Sequence, residues 1–317
     1  MKAALLQQYN TPPQYRDITF PEPGRNQQRI TVKAAALKNF DRLSTHAEFY
    51  AKLKNLPAIV GSDGVGVTAE GKRIYASGLS GMFAEKALVS STNVVEIPDE
   101  LDWATAAALP NAILGSAMPL KWKGNIGKGV AVLINGATGF TGEIATQMAR
   151  HYGAKTIVVT GRNRDRLRQL QRVGASLTLS LDEPDFSTQL KKIHQTTPFD
   201  IVLDYLWGET AERLLTILSQ GPTHSTRFIN LGNNAGNQLS LSANLLRSCA
   251  IEIIGAGMGS YTSTEFDRLT HELIPEAYAL ATQGKLVVSL QKAPLKEVQK
   301  VWQAQPEAGT RTVFMMD

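Results

Sequence analysis

The stretch of sequence that decides the fold reads VAVLINGATGFTGEIATQMARHYG, residues 130–153. Its first five residues are all apolar, as in a buried β-strand. The glycine-rich turn that follows leads into a helical pattern, which ends in Arg150 and His151 with Gly153 at the C′ position. Residues 155–160 are rich in β-branched side chains and predict a second strand. Strand, turn, helix and strand form a βαβ unit of the kind that binds dinucleotides.

The turn itself contains the residues expected to hold a dinucleotide. Gly139 lets the backbone approach a pyrophosphate, and Gly142 lets the helix pack close to the sheet. The helix N-terminus offers N–H groups and a partial positive charge to the phosphates. The alternative is an ordinary strand-to-helix turn, which we disfavour because the glycines leave a strand and enter a helix. We therefore expect six residues to contact the cofactor: Ala137, Thr138, Gly139, Phe140, Thr141 and Gly142.

The end of the second strand predicts which dinucleotide binds. A chain that binds NAD usually places Asp or Glu there for the ribose 2′-hydroxyl. This chain has Thr160-Gly161-Arg162-Asn163-Arg164 instead, with no carboxylate before Asp165. Arg can grip a 2′-phosphate through two parallel hydrogen bonds, whereas an acidic side chain would repel it. We therefore predict NADP(H) as the cofactor, with Gly161, Arg162 and Asn163 in its site.

The arginines of this region allow a second interpretation. Arg162, Arg164, Arg166 and Arg168 can form the solvated side of a helix that is capped by Asn163. For Arg166 and Arg168 we favour the solvated side. For Arg162, which lies inside the turn, we favour phosphate binding.

Length and composition restrict the class of protein. The 317 residues suit two domains, and a hydrophobic content of 43% supports a full core. The net charge of +5 comes without a basic stripe and interleaved aromatics, so we expect no nucleic-acid partner. A single cysteine, Cys249, allows no intrachain disulfide and fits a reducing compartment. With neither a signal peptide nor a membrane span recognisable, we predict a cytoplasmic protein without a membrane partner.

The rest of the chain divides into two kinds of pattern. Residues 1–100 look β-rich, and the glycine-dense stretch 61–67 indicates closely approaching backbones in a small barrel. Two helices, separated at Pro110, follow. Six strands then alternate with helices, which predicts a doubly wound parallel sheet in an α/β protein. A last strand at 311–315 is expected to return to the first domain.

Several different short motifs follow one another in a characteristic order along the chain. They are Met1-Lys2-Ala3, Gly61-x-Asp63-x-x-Gly66, Phe83-Ala84-Glu85, Ala106-Ala107-Ala108-Leu109-Pro110, Ala137-x-Gly139-x-x-Gly142 and Asp204-Tyr205-Leu206-Trp207-Gly208. With them the whole chain resembles the medium-chain dehydrogenase/reductase superfamily, and within it the zinc-free quinone oxidoreductase-like branch.

The resemblance implies a particular domain organisation. A GroES-like β-barrel would occupy residues 1–115, a Rossmann domain would occupy 116–260, and 261–317 would return to the barrel. The resemblance also implies a homodimer that pairs the edges of two Rossmann sheets, for which the apolar stretch Ile251–Gly255 is the candidate.

The resemblance further implies that no zinc is used. Zinc-dependent relatives carry Cys-x-x-Asp where this chain has Lys38-Asn39-Phe40-Asp41, and Gly-His-Glu where it has Gly61-Ser62-Asp63. The third ligand position corresponds to Asn111. A protonated Lys cannot bind Zn²⁺, and Ser and Asn are poor ligands. Without a metal to lower the pKa of an alcohol, the expected chemistry is hydride transfer to a quinone or an α,β-unsaturated carbonyl.

The same resemblance implies which residues line the nicotinamide. They are Asn39, Tyr50 and two loops with the cofactor contacts Asp204, Leu206, Leu231 and Gly232. Tyr50 can hydrogen-bond the acceptor carbonyl or donate a proton, or it can be a packing tyrosine.

Three further side chains near these positions keep alternatives open. Asn39 is a candidate for positioning the substrate, and Lys38 either contacts substrate or a phosphate or is solvated. Trp207 either stacks on substrate or holds its loop in place.

Two other functions remain open at this point. The first is a dinucleotide-binding protein with a regulatory or structural role and little turnover. The second is an NADP-dependent alcohol dehydrogenase that works without zinc. Binding without oxidation across quinones and enones would favour the first, and activity on simple alcohols would favour the second.

Overall fold

The computed structural model describes residues 1–316 and divides the chain into two compact units. The first unit comprises Met1–Asn111 together with the chain from Thr270 onward, and the second unit comprises Ala112–Leu269. Each unit has its own apolar core. Both boundaries fall inside helical segments, so no loop marks them in the sequence.

The first unit begins with antiparallel strands that form a small barrel. Its elements are, in chain order, β1 (Lys2–Leu6), β2 (Gln14–Asp17), β3 (Gln27–Ala36), α1 (Asn39–Leu43), β4 (Ala58–Ile59), β5 (Asp63–Val67), β6 (Arg73–Gly78) and β7 (Lys86–Glu96). Strands β3, β5, β6 and β7 follow one another in one sheet, and the pairing of β3 with β7 closes that sheet on itself. The predicted barrel is thereby confirmed.

The pattern of β3 and β5 explains how the barrel closes so tightly. Ile30 and Val32 of β3 point inward and alternate with exposed neighbours, as the sequence predicts. A Cβ atom added to Gly66 of β5 would lie 2.4 Å from the carbonyl oxygen of Thr31, so no larger residue fits there. The close backbone approach expected for the glycine-dense stretch is confirmed.

The helix after the barrel corrects one prediction. A single helix, α2 (Trp103–Leu114), contains Pro110 in its interior, where the sequence predicted a break. Proline has no N–H, so the carbonyl of Ala106, four residues earlier, loses its helical donor. The hydroxyl of Tyr278 donates a 2.8 Å hydrogen bond to that carbonyl oxygen. A distant side chain therefore replaces the missing hydrogen bond, and the helix continues.

The second unit is a doubly wound parallel sheet, as predicted. Its elements are α3 (Ala117–Trp122), β8 (Ala131–Asn135), α4 (Phe140–His151), β9 (Thr156–Gly161), α5 (Arg164–Val173), β10 (Leu177–Ser180), α6 (Phe186–Thr196), β11 (Ile201–Asp204), α7 (Gly208–Ser219), β12 (Thr226–Asn230), α8 (Ala243–Ser248), β13 (Ile251–Gly255) and α9 (Ser263–Arg268). The strand order is β10-β9-β8-β11-β12-β13 and all pairs are parallel. The order reverses between β8 and β11, which is where such sheets bind ligands.

The chain finally returns to the barrel. After a π-helical turn at Leu269–Leu273 come α10 (Ile274–Thr282), β14 (Leu290–Pro294), α11 (Val298–Gln303) and β15 (Arg311–Met315). Strand β15 pairs antiparallel with β3 and parallel with β14. Phe314 is fully buried and meets Phe83 edge-on, with ring centroids 5.0 Å apart. The predicted return strand is confirmed with the same bounds.

Candidate functional site

The glycine turn lies at the carboxyl end of β8, between that strand and α4. Gly136 has a φ of +82°, and a Cβ atom there would lie 2.8 Å from the side chain of Leu206. A Cβ atom on Gly142 would lie 2.5 Å from the Cα atom of Ala137. Both positions therefore require glycine because neighbouring atoms leave no room for a side chain. The expected close packing of the helix at Gly142 is confirmed.

Gly139 differs from these two glycines. It is exposed and is the N-cap of the twelve-residue helix α4, where it provides no side chain to cap the helix. A Cβ atom added to it would meet nothing within 4 Å. The backbone N–H groups of a first helical turn lack intrahelical partners and carry a partial positive charge. The turn therefore has open space in front of a helix end that suits a phosphate group.

A buried polar network holds the turn in place. The Asn135 amide donates to Oδ1 of Asp204 at 2.8 Å, and the Thr160 hydroxyl donates to the Asn135 amide oxygen at 2.6 Å. The backbone N–H of Gly136 in turn donates to the Thr160 hydroxyl at 3.3 Å. The network joins the carboxyl ends of β8, β9 and β11. Asn135 and Thr160 were missed from the sequence, although each ends a strand next to the turn.

Asp204 organises the loop that follows β11. Its carboxylate accepts backbone N–H groups of Leu206 at 3.1 Å and Trp207 at 3.0 Å. Burial raises the pKa of the Asp204 carboxyl, although the Asn135 amide and these N–H groups favour its charged form. The backbone N–H of Leu231 donates to the Asp204 carbonyl at 2.8 Å. A Cβ atom on Gly232 would lie 2.8 Å from the carbonyl oxygen of Tyr205.

These contacts bring together the second-unit residues that were predicted to face the nicotinamide. Leu206 lies against Gly136 of the turn, and the Leu231 loop lies against the Asp204 loop. Trp207 has a φ of +58°, is half-buried, and packs against the sheet core with its ring 6.5 Å from that of Phe228. Its contacts are those of a residue that holds the loop in place.

The arginines after β9 separate into two groups. Asn163 caps α5 by accepting the backbone N–H of Arg166 at 3.0 Å, as predicted. Arg166 is buried and ion-paired with the buried Glu143, so the prediction of a solvated Arg166 is wrong. That side chain crosses to α4, which the local pattern of α5 did not indicate. Arg168 and Arg162 are both exposed.

The first-unit candidates occupy contrasting environments. Asn39 is exposed at the first position of α1, and Tyr50 is 85% exposed with its ring 4.6 Å from that of Phe49. Lys38 is only 2% exposed. The alternative of a solvated Lys38 is therefore wrong.

Two carboxylates explain the burial of Lys38. Its ammonium is ion-paired with Asp63 and lies 3.3 Å from Oδ2 of Asp41. Burial disfavours the charge, but the two carboxylates together outweigh it and raise the pKa of the Lys38 ammonium. Asp41 also accepts the backbone N–H groups of Lys38 and Ser62, each at 2.9 Å. These residues form a buried ion cluster, Lys38, Asp41 and Asp63, inside the first unit.

Comparison with known proteins shows what the chain is similar to. A family profile described as "Zinc-binding dehydrogenase" matches residues 141–274. The human protein "Quinone oxidoreductase" is 27% identical over 263 residues, which cover 80% of this chain and 78% of that protein. The "Probable NADPH-dependent quinone reductase tdiC" of Emericella nidulans is also 27% identical, over 99% of this chain and 100% of its own.

Solved structures agree on the fold. The structure called "AibC" has a TM-score of 0.85 at 20% identity and covers 100% of this chain and 96% of its own. The Escherichia coli quinone oxidoreductase, complexed with NADPH, has a TM-score of 0.83 at 19% identity and covers 99% of this chain and 100% of its own.

The barrel, the parallel sheet and the glycine turn are those that the resemblance to medium-chain dehydrogenases/reductases implies, and the profile match over residues 141–274 supports that likeness. Within that class, the two relatives support a likeness to the quinone oxidoreductases.

Two further properties concern metals and membranes. In the part of the chain that the structure describes, no three or more His, Cys, Asp and Glu side chains are placed together to hold a metal ion. The donors at the positions compared with zinc ligands do not fit the metal, because the Lys38 ammonium has no lone pair to offer. No helix within residues 1–316 combines the length and apolarity needed to cross a bilayer.

Proposed function

We propose that the protein is an NADPH-dependent oxidoreductase that transfers hydride to a quinone or an α,β-unsaturated carbonyl without zinc. The observation that carries the proposal is the turn at Gly139, which leaves open space before the N-terminus of α4. The names of the human and fungal relatives support a quinone as acceptor, and the fungal name supports NADPH. The NADPH-bound structure of the bacterial neighbour supports the same cofactor.

In this proposal the second unit holds the cofactor. The turn Ala137–Gly142 binds the pyrophosphate, and Gly161, Arg162 and Asn163 bind the adenosine end with its 2′-phosphate. Asp204, Leu206, Leu231 and Gly232 lie at the nicotinamide, which supplies the hydride when the cofactor is bound. Asp204 acts through its loop, because its carboxylate is occupied by Asn135 and two backbone N–H groups.

The acceptor is oriented in this proposal by residues of the first unit. The exposed Asn39 and Tyr50 are the candidates for contact with it, with Tyr50 hydrogen-bonding the acceptor carbonyl. Lys38 is buried and paired, so its proposed part is to hold the start of α1, which carries Asn39. The acceptor must already be electrophilic, because no metal is available to polarise it in this scheme.

We further propose a cytoplasmic homodimer. A single cysteine fits a reducing compartment. Strand β13 is an edge of the parallel sheet, and its residues Ile251–Gly255 are partly exposed. Pairing of two such edges would cover their free backbone groups. A monomer mass in solution would contradict the dimer.

Titration of the purified protein with NADPH, followed by turnover assays, tests the function. We expect NADPH to bind and to be oxidised in the presence of a quinone or an enone, with no activity on simple alcohols. Elemental analysis is expected to find no stoichiometric zinc, and chelators are expected to leave turnover unchanged. Tight binding without turnover of any acceptor would instead favour a regulatory dinucleotide-binding protein.

A further inference from the structure

The ends of two neighbouring strands bring unexpected carboxylates to the arginines of the second unit. Strands β9 and β10 pair in parallel, with Gly161 opposite Ser180. The backbone N–H of Leu181 donates to the Gly161 carbonyl at 2.9 Å, so the segments after β9 and β10 leave the sheet side by side. The next residues are Arg162 in the segment after β9 and Asp182 in the segment after β10.

Each of the first two arginines meets one of these carboxylates. Nε of Arg162 lies 3.7 Å from Oδ1 of Asp182, and Nη2 of Arg164 lies 2.7 Å from Oε1 of Glu183. The side chains of Arg162 and Asp182 are 71% and 61% exposed, so this ion pair lies at the protein surface in contact with solvent. The local charge of the four residues sums to zero, since two arginines face two carboxylates.

These ion pairs alter the charge that a 2′-phosphate would meet beside Arg162 and Arg164. Read along the chain, the second strand is followed by arginines without a carboxylate before Asp165. In the folded chain, Asp182 and Glu183 in the turn after β10 supply the acidic groups that the sequence next to β9 lacks. A 2′-phosphate must therefore displace carboxylates from the arginines that would grip it.

We propose that Asp182 and Glu183 set the cofactor selectivity of this site by competing with the 2′-phosphate of NADPH for Arg162 and Arg164. The proposal rests on the proposed function, because it assumes that the adenosine end of a dinucleotide lies beside these residues. Its consequence is that the protein prefers NADPH only modestly and also binds NADH.

The size of the effect follows from the exposure of the pairs. Exposed ion pairs are weak and are screened by salt, so a phosphate with a charge near −2 displaces a carboxylate without difficulty. The carboxylates nevertheless remain close to the phosphate and repel it. We expect each of them to weaken NADPH binding by roughly two- to fivefold at low ionic strength, and less at high salt.

Neutralising the carboxylates tests the proposal. Dissociation constants of NADPH and NADH are measured by fluorescence titration for the unchanged protein, Asp182→Asn, Glu183→Gln and the double variant. We expect NADPH to bind roughly two- to fivefold more tightly in each single variant and roughly five- to twentyfold in the double variant. We expect NADH binding to stay equal, because NADH has no 2′-phosphate for the carboxylates to repel.

A matched control and a second cycle make the result specific. Glu252 of β13 is also an exposed acid paired with an arginine, but β13 is the opposite edge of the same sheet. Glu252→Gln makes the same charge change and is expected to leave both affinities unchanged. Arg162→Ala should weaken NADPH binding by roughly tenfold but not NADH binding. In that background Asp182→Asn should have little further effect.

Two outcomes would overturn the inference. One is an unchanged ratio of NADH to NADPH affinity in Asp182→Asn, Glu183→Gln and the double variant. The other is an equal gain for NADPH in Glu252→Gln, which would reveal a general charge effect. If neither dinucleotide bound to the unchanged protein, the proposed function itself would fail, and that result is recognised before any variant is made.

Discussion

At the scale of single residues, Lys38 determines the electrostatics of the first unit. Its ammonium is buried between Asp41 and Asp63, and Asp63 also accepts the Tyr75 hydroxyl at 2.9 Å. Charges inside a protein lose their hydration, and only well-placed partners compensate for that loss. The ion cluster need not stabilise the fold more than apolar side chains in the same place would, but each charged residue in it requires its oppositely charged partner. Removing the Lys38 cation would leave the buried Arg311 guanidinium as the remaining positive charge that acts on Asp41 and Asp63.

Lys38→Met is therefore expected to be strongly destabilising. It removes the positive charge that is ion-paired with Asp41 and Asp63 and keeps an apolar chain of similar length, so only the Arg311 guanidinium still acts on both carboxylates. We expect the free energy of unfolding of the first unit to fall by about 3–5 kcal/mol. Urea unfolding followed by circular dichroism measures it.

The exposed pair of Lys72 and Glu96, 3.7 Å apart, provides the matched control. Lys72→Met should leave stability unchanged within error. The double variant Lys38→Met with Asp63→Asn should recover part of the loss, because one unpaired carboxylate is then gone. Equal stability of Lys38→Met and the unchanged protein would show that the ion cluster is not held by Lys38.

At the scale of elements, helix α2 shows how a proline is accommodated in a helix interior. Pro110 cannot donate to the Ala106 carbonyl, and the buried Tyr278 hydroxyl does so instead. Burial keeps the pKa of Tyr278 well above its ordinary value, so the hydroxyl retains its proton and remains a donor. The helix and the tyrosine are thus coupled across 172 residues of sequence.

Tyr278→Phe tests this coupling. The variant leaves the Ala106 carbonyl buried without its donor, which should cost about 1–3 kcal/mol of unfolding free energy. Adding Pro110→Ala restores a backbone N–H, so the cost of Tyr278→Phe should be smaller in that background. Thermal or urea unfolding of the four proteins measures the coupling. Additive effects of the two substitutions would contradict it, and Tyr50→Phe at an exposed tyrosine serves as the neutral control.

The glycine turn offers a second test at this scale. A Cβ atom on Gly142 would collide with the backbone of Ala137, so Gly142→Ala should lower the stability of the second unit by about 1–3 kcal/mol. A Cβ atom on Gly139 meets open space, so Gly139→Ala should lower stability only through the poorer N-cap residue, by about 1 kcal/mol or less. It should still weaken NADPH binding by tenfold or more, because the methyl group enters the space assigned to the pyrophosphate.

Melting temperature and the dissociation constant for NADPH, measured on both glycine variants, separate the two effects. Full NADPH affinity in a stable Gly139→Ala protein would contradict the proposal that the pyrophosphate binds at this turn.

At the scale of the whole molecule, the two units have separate cores. Phe314 is buried in the first core and Phe228 in the second. Each Phe→Ala variant should lower local stability by about 3–5 kcal/mol through lost contacts and a cavity. Hydrogen exchange should accelerate in β3 and β15 for Phe314→Ala, and in β11 and β12 for Phe228→Ala. Equal acceleration in both units for either variant would show a single cooperative core.

Sequence patterns predicted the elements whose signals are local. The continuous apolar run of β8, which ends at the polar Asn135, predicted a strand close to the observed bounds. Pro110 misled because its compensating donor, Tyr278, lies far along the chain. The same reason applies to Arg166, which pairs with Glu143 of another helix. Contacts between residues far apart in sequence could not be predicted from local sequence patterns.

The candidate site follows the same rule. The turn from Ala137 to Gly142 was recognisable because its chemistry resides in consecutive backbone groups. The network of Asn135, Thr160 and Asp204 was not, because three separate strands contribute to it.

The return of β15 to the barrel bears on how the molecule is made. A ribosome releases the chain from its N-terminus, so Ala112–Leu269 emerges in full before Arg311–Met315 exists. Residues 34–36 of β3, which pair with β15, therefore lack that partner until the end of the chain has been made. The strands β3, β5, β6 and β7 can thus pair early during synthesis, whereas the first unit is completed only after the whole second unit has been made.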